Sequence, residues 1–284
     1  VAATNRSTAY SISGIEIAIM FDDYVRRWNL IPDGCPIETH SSRLLPVRYL
    51  DEPAMLKVAV VDEEKRGNAL MAWWNGAATA RVLAQSQDAI VMERASAEFS
   101  LIDLSRTGQD DEATRLICEV IAKLHAAPAN SPPSLVPLSR WFDALDPAAA
   151  THGGIFQVAA AAAGTLLSSQ QASIPLHGDI HHGNILHFGS RGWLAIDPKG
   201  LLGERGFDYA NLFCNPDQDT AADSVRFTQR LSSVIEVAGL ERKRLLMWIL
   251  AWAGLSAAWH LEDGTSPQAA MGVAHMAAAQ LQPL

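Results

Sequence analysis

Leu176-His177-Gly178-Asp179-Ile180-His181-His182-Gly183-Asn184-Ile185-Leu186, followed after a short turn by Trp193-Leu194-Ala195-Ile196-Asp197-Pro198-Lys199-Gly200, is the stretch on which the fold turns. Asp179, Asn184 and Asp197 stand in two short polar turns, each beside apolar residues of strand character. Asp179 and Asn184 are five residues apart, and Gly178 and Gly183 let the backbone come close to a ligand. This is the pattern of a loop that holds a metal and a proton acceptor beside a phosphoryl group. It asks the rest of the chain for a nucleotide site in front and a substrate site behind.

The chain has room for both. Its 284 residues suffice for two lobes with cores, and a 49% hydrophobic content with few charges predicts a well-buried globular protein. The 22 Lys and Arg against 31 Asp and Glu give a net charge of −9, which argues against a nucleic-acid binder, because that needs a basic footprint. A negative field instead attracts a small cationic substrate, although moderate acidity also simply favours solubility. Cys35, Cys118 and Cys214 are odd in number and lack metal-like spacing, so no disulfide framework is expected and a reducing cytoplasm fits. Val1–Tyr10 shows no basic-then-apolar signal pattern. The most apolar run, Leu245–Trp259, has 15 residues and reads as a buried helix too short to cross a bilayer unaided. No membrane partner is expected, and the chain reads as a monomer or weak dimer.

Residues 1 to about 15 carry no pattern and read as an extension, within a first segment of about 25 residues. Glu16–Trp28 suits a helix. Asn29–Pro36 contains a Pro-Asp-Gly turn, and Arg43–Tyr49 and Ala54–Val61 are β-prone on either side of Asp51-Glu52-Pro53. Asp62–Trp74 opens with acidic residues and reads as a helix. Arg81–Ala84 and Ala89–Met92 follow as strands. The chain then turns helical: Asp110–His125, with Asp110 and Asp111 as caps, Leu138–Leu145, Phe156–Leu167, Ala221–Ala238, Arg242–Leu261 and Gln268–Leu281. Ala126–Pro137 is a connector, and Leu186–Phe188 with Trp193–Ile196 is the one strand hairpin expected in this part. The lobe boundary falls at Glu93–Ser96, dividing an N-lobe, 1–95, from a C-lobe, 96–284. The fold class is α+β with two lobes.

Phosphoryl transfer needs a divalent metal bridging the phosphates, a cation on the phosphates and a carboxylate that orients the attacking hydroxyl. Asp179 is the candidate carboxylate, and Asn184 and Asp197 are hard oxygen ligands suited to Mg²⁺. Lys57 sits inside the apolar segment Met55–Ala59, a costly place for an ammonium without an anion. It reads as a phosphate clamp paired with Glu64, with Glu63 as the fallback partner. There is no Gly-Lys pair, which excludes an ordinary P-loop, and no Gly-rich kinase loop. Thr39-His40-Ser41-Ser42 is the equivalent turn, its Ser41 and Ser42 hydroxyls and backbone N–H groups able to meet phosphate. A rival reading gathers His177, Asp179, His181 and His182, with His187 and Asp197, into a zinc hydrolase site. It leaves Lys57 and Asn184 unexplained.

His177-Gly-Asp179-Ile-His181-His182-Gly-Asn184 resembles the Brenner-type motif of aminoglycoside phosphotransferases. The continuation Gly192–Phe213, with Thr39–Ser42, Ala54–Ala59, Met92–Ala95 and Gly254–Trp259, is similar to the streptomycin (aminoglycoside) 6-kinases, also described as aminoglycoside/hydroxyurea resistance kinases. The likeness runs from about Trp28 to the C-terminus. It implies a protein-kinase-like fold with a small β-rich N-lobe and a larger helical C-lobe, ATP in the cleft and Mg²⁺ on Asn184 and Asp197. It further implies Asp179 as catalytic base, Lys57 as the phosphate lysine paired with Glu64, and Asp208 as a structural brace of the catalytic loop. Adenine would meet backbone groups of the hinge, Glu93, Arg94 and Ala95. Ile180 and Gly183 depart from the Leu and Glu of other members, and Lys199 receives no role.

A guanidinium-bearing acceptor wants carboxylates and aromatic faces. Glu204, Asp208, Glu262 and Asp263 are the acidic candidates and Trp252 and Trp259 the aromatic ones, although both tryptophans also suit core packing in their apolar helix. The expected activity is phosphorylation of a hydroxyl of streptomycin or a related aminoglycoside, inactivating it. A kinase for hydroxyurea or another small hydroxyl compound is the alternative, and a nucleotide binder without catalysis comes after that.

Overall fold

A computed structural model of the chain describes residues 14–126 and 130–282. Most of the expected N-terminal extension and part of the connector lie outside these residues. Helix α1 (Gly14–Arg27) leads into β1 (Ile31–Pro32), β2 (Ile37–Glu38), β3 (Ser42–Tyr49) and β4 (Glu52–Ala59), then α2 (Asp62–Trp74), β5 (Val82–Gln85) and β6 (Ala89–Glu93). The strands form one antiparallel sheet in the order β1-β3-β4-β6-β5, with β2 also on β3. The β3–β4 hairpin turns at Leu50-Asp51, both in the left-handed region at φ 51° and 64°, the two-residue turn that matches strand twist. One sheet face packs Leu45, Val47, Leu56 and Val91 against Phe21 and Leu30. On the other, Met71, Ile90 and Met92 meet Phe188 and Leu194 of the larger lobe. Lys57 sits on the doubly paired strand β4, opposite Leu44 on β3 and Ile90 on β6, and is buried.

The larger lobe begins with α3 (Leu101–Arg106) and α4 (Asp110–His125), then β7 (Val136–Pro137), α5 (Leu138–Trp141), α6 (Leu145–His152) and α7 (Ile155–Ser168). Strands β8 (Ser173–Leu176), β9 (Ile185–His187), β10 (Trp193–Ala195) and β11 (Leu201–Glu204) follow, then 3-10 turns at Arg205–Tyr209 and Asn211–Cys214. Helices α8 (Gln218–Ala221), α9 (Ser224–Ala238), α10 (Arg242–Glu262) and α11 (Gln268–Leu281) complete the described chain. Helix α10 is long and apolar enough to cross a membrane by composition, but Leu245, Trp248, Ile249, Trp252 and Leu255 bury it in the main core.

Three expectations are corrected here. The segment 138–145 is not one helix: α5 stops at Trp141 and α6 starts at Leu145. Asp110 does not cap α4; the cap position is Gln109, and Asp110 is buried against Arg230. A second small sheet, β7-β11-β8, accompanies the expected hairpin. Pro137, Pro175 and Gly203 hide its strands from a propensity reading.

These two small sheets bracket the central stretch. Leu176 is opposite Leu201 in one, and Ile185 opposite Ala195 in the other, so residues 177–184 and 196–200 are held side by side between them. Helix α2 reaches across to them. Its Leu70 and Trp74 belong to the core of the larger lobe, and Trp74 Nε1 donates to the carbonyl of Leu124 at 3.2 Å. The chain beyond α2 hydrogen-bonds to β10 through Ala80 N to Ala195 O and Ala195 N to Ala78 O, at 3.0 and 2.9 Å.

Candidate active site

Strand β8 delivers His177 into a turn that only glycine can continue. Gly178 has φ +86°, and a Cβ there would stand 2.7 Å from the Leu201 side chain. The Asp208 carboxylate accepts the N–H groups of His177 and Gly178 at 3.0 and 2.8 Å and faces His125 Nε2 at 2.9 Å. It is buried at the base of the turn, the position of a brace and not of an acceptor contact. His177 Nε2 lies 2.8 Å from the carbonyl of Ile196 and so donates to it, while Nδ1 accepts the Asp179 N–H at 3.2 Å. One neutral imidazole thus sews the two turns together, and burial holds its pKa below the ordinary value.

Asp179 is buried, and three neighbours surround its carboxylate. Asn211 Nδ2 donates to Oδ1 at 2.9 Å. Asn184 Nδ2 donates to the Asp179 carbonyl at 2.9 Å and lies 3.3 Å from Oδ2. His181 Nε2 is 4.0 Å from Oδ2. Burial opposes ionisation, but the charges of His181 and Lys199 outweigh it and hold the pKa below the usual carboxylate value. The group is an acceptor at neutral pH.

Lys57 is clamped between Glu64 of α2 and Asp197 of the second turn, with ion pairs to both. Burial disfavours its ammonium, yet Asp197 and Glu64 more than offset this and raise its pKa. Ser41 and Ser42 donate their hydroxyls to Glu64 at 3.0 and 3.1 Å, so those hydroxyls serve the glutamate in this arrangement. Lys199, given no role from sequence, is buried and stands 2.9 Å from Glu64, 3.5 Å from Glu63 and 3.7 Å from Asp197. Glu63 therefore partners Lys199 and not Lys57. Burial raises the Glu63 pKa, with Lys199 pulling the other way. Helix α2 comes this close because Gly67 lacks a side chain: a Cβ there would lie 2.0 Å from the carbonyl oxygen of Pro198.

Thr39, Ser42, Leu44, Lys57, Met92, Asn184, Ile196 and Asp197 line a cavity of about 180 Å³ between the lobes. Apolar walls, one ammonium and two hard-oxygen side chains suit a nucleotide with Mg²⁺, which takes few protein ligands and completes its shell with phosphates and water. Asp197 occupies the left-handed region at φ 63°, a costly conformation that aims its carboxylate into this space. The zinc reading finds no cluster: among the described residues no three His, Cys, Asp or Glu side chains converge on a metal-sized point. His177 is engaged with Ile196, His181 Nδ1 with the Gly183 N–H, and His187 Nδ1 with Ser96.

At the hinge, Glu93 pairs with Arg191 and Arg81, Arg94 pairs with Asp33, and the Glu93 N–H already donates to the Arg81 carbonyl at 3.0 Å. Ala95 packs in the cluster that includes Leu186 and Ile196. Of the acceptor candidates, Glu204 is corrected: it is buried and taken by Arg244, by Trp248 Nε1 at 3.0 Å and by the Gln171 N–H at 3.0 Å. Trp259 stacks edge-on with Trp141 and Trp252 in the core. Glu262 and Asp263 are exposed where α10 ends. Asn211 and Lys199 were missed from sequence. Lys199 carries no signal of its own in a turn that is already polar, and Asn211 shows none beyond its closeness to Asp208.

Residues 27–264 match the family described as aminoglycoside/hydroxyurea antibiotic resistance kinase. A streptomycin 3''-kinase of Klebsiella pneumoniae is 50% identical over 245 residues, 84% of this chain and 92% of that protein. A streptomycin 6-kinase of Streptomyces glaucescens is 29% identical over 264 residues, 87% of this chain and 84% of that one. Among solved structures, a thermostable mutant of aminoglycoside phosphotransferase APH(4)-Ia with AMP-PNP and hygromycin B superposes with TM-score 0.65 at 14% identity, over 92% of this chain and 98% of that one. That likeness shows the two-lobed protein-kinase-like fold. With the family match spanning the site from Lys57 to Asp208, the chain belongs to the aminoglycoside/hydroxyurea antibiotic resistance kinases.

Proposed function

We propose that this kinase transfers the γ-phosphoryl group of ATP, with Mg²⁺, to a hydroxyl of streptomycin and so inactivates it. The observation that carries the reading is that Lys57, Asn184 and Asp197 line one cavity, with Asp179 hydrogen-bonded to Asn184 behind them. Lys57 would turn from Asp197 to the phosphates while Glu64 keeps hold of it. Asn184 and Asp197 would hold Mg²⁺, which when bound neutralises charge on the β- and γ-phosphates. Asp179 would orient the acceptor hydroxyl and take its proton as the bond from oxygen to γ-phosphorus forms and the bond to the bridging oxygen breaks. A guanidinium-bearing acceptor suits the net charge of −9.

The sequence resemblance pointed to the 6-kinases. The relative at 50% identity carries a 3''-kinase name, and the named 6-kinases are 28–29% identical, which favours the 3'' hydroxyl. Incubation with ATP, Mg²⁺ and streptomycin, with mass detection and NMR location of the phosphate, tests this. Streptomycin 3''-phosphate is expected. A 6-phosphate would move the hydroxyl only, whereas unmodified streptomycin beside phosphorylated hydroxyurea would overturn the acceptor.

A further inference from the structure

Asp179 is gripped by a residue that the chemistry above does not use. Asn211, only 7% exposed, donates from Nδ2 to Asp179 Oδ1 at 2.9 Å. The Asn211 amide cannot be turned over. Its Oδ1 accepts from Trp252 Nε1 at 3.0 Å and from Asn215 Nδ2 at 3.0 Å. An indole N–H only donates, so the oxygen of Asn211 must face Trp252 and its NH₂ must face Asp179.

The support behind this amide is rigid. Trp252 is buried on α10, edge-on to Phe207 at 5.3 Å and to Trp259 at 5.6 Å. The Asn215 carbonyl accepts from Arg230 Nη1 at 2.6 Å, and Asp110 grips Arg230 from two sides at 2.8 and 2.6 Å. The bond to Oδ1 therefore sets the rotation of the Asp179 carboxylate. It leaves Oδ2, beside Asn184 and His181, as the oxygen not tied to Asn211, the one that would meet an acceptor hydroxyl under the proposed function.

We infer that Asn211 is a positioning residue for phosphoryl transfer, and that Trp252 acts through it by fixing its amide. The inference rests on the reading of Asp179 as the proton acceptor. Steady-state kinetics with ATP and streptomycin on Asn211→Ala, Trp252→Phe, the double variant and Asp179→Ala, each with a thermal melt, test both halves. Asn211→Ala is expected to lower kcat about 10- to 100-fold while both KM values stay within about two-fold. Trp252→Phe should lower kcat about three- to ten-fold alone and have no further effect in the Asn211→Ala background, because its action passes through the amide.

Wild-type kcat in Asn211→Ala beside an inactive Asp179→Ala overturns the inference and leaves the reading of Asp179 standing. An equal Trp252→Phe effect in both backgrounds overturns the role given to Trp252. Full activity in Asp179→Ala overturns the underlying reading and the inference with it. Should Asn211→Ala fail to fold, Trp252→Phe carries the test: a fall in kcat with unchanged KM supports the inference, and wild-type kcat overturns it.

Discussion

Nζ of Lys199 lies 2.9 Å from Oε1 of Glu64, the carboxylate that also pairs with Lys57. Two buried ammonium groups thus share one glutamate, and both also reach Asp197. In the proposed reaction Lys57 exchanges Asp197 for phosphate while one oxygen of Glu64 keeps hold of it, and Lys199 holds the other oxygen of that glutamate throughout. Its neighbours hold its pKa above the ordinary lysine value against the cost of burial. Removing one partner of a buried ion pair costs roughly 3–5 kcal/mol, which for a chain of this size is a fall of roughly 10 °C in the thermal midpoint. Lys199→Met is expected to melt that much earlier and to show a raised KM for ATP. An unchanged melt and KM would make Lys199 a bystander.

Gly67 gives a sharper test of how α2 is docked. A Cβ at this position would stand 2.0 Å from a backbone oxygen, and no rotamer can relieve that contact. Gly67→Ala must lift α2 or push the Asp197–Gly200 turn, so the Lys57–Glu64–Asp197 group is displaced. The expected result is a loss of about ten-fold or more in kcat/KM for ATP, of the kind that a small misplacement of reacting groups produces. Gly272→Ala is the control. Nothing lies within 4 Å of its would-be Cβ on α11, and the change should be neutral or slightly stabilising.

The residues that sequence reading assembled correctly are those whose signal is local. Asp62–Trp74, Asp110–His125 and Gln268–Leu281 were legible to the residue, and the first two open on acidic turns. Lys57 stood out because an ammonium inside an apolar strand demands an anion, and the structure supplies both Glu64 and Asp197. Glu204 looked like an acceptor contact because nothing near it in sequence shows that Arg244, 40 positions away, neutralises it. Asn211 and Lys199 were invisible for the same reason, their partners lying 32 and 135 positions away. The β7-β11-β8 sheet was illegible because strands of two to four residues carrying proline or glycine have no propensity to read.

His182 ties stability to pH. Its ring is buried, and neither nitrogen has a hydrogen-bond partner among the described residues. Burial first, then the positive Arg230 and His181, push its pKa down to about 3, with Asp110 and Asp217 opposing. Between there and 6.5 the unfolded chain binds a proton that the folded chain refuses, so stability is full above 6.5 and falls as pH drops through that window. The slope from this one group is at most about 1.4 kcal/mol per pH unit. Denaturant melts at about pH 7.5 and about pH 5 should differ in midpoint, and His182→Gln should narrow the gap. An undiminished gap in that variant would place the acid sensitivity elsewhere.

The two carboxylates of the proposed reaction should fail in different ways. Asp179 sits behind the cavity on Asn184 and Asn211, so its loss should spare the nucleotide and affect the chemical step. Asp179→Ala is expected to lower turnover by roughly 10²–10⁴ with nucleotide affinity unchanged. Asp197 lines the cavity itself, paired to Lys57 and near Lys199, and those ammonium groups hold its pKa low despite burial, so it is charged and ready to take a cation. Asp197→Ala removes that anion but leaves Lys57 on Glu64. Calorimetry with an ATP analogue should therefore show wild-type protein gaining affinity when Mg²⁺ is added and the Asp197→Ala variant losing most of that gain. If instead both variants lost nucleotide affinity alike, metal holding and proton acceptance would not be divided between these residues.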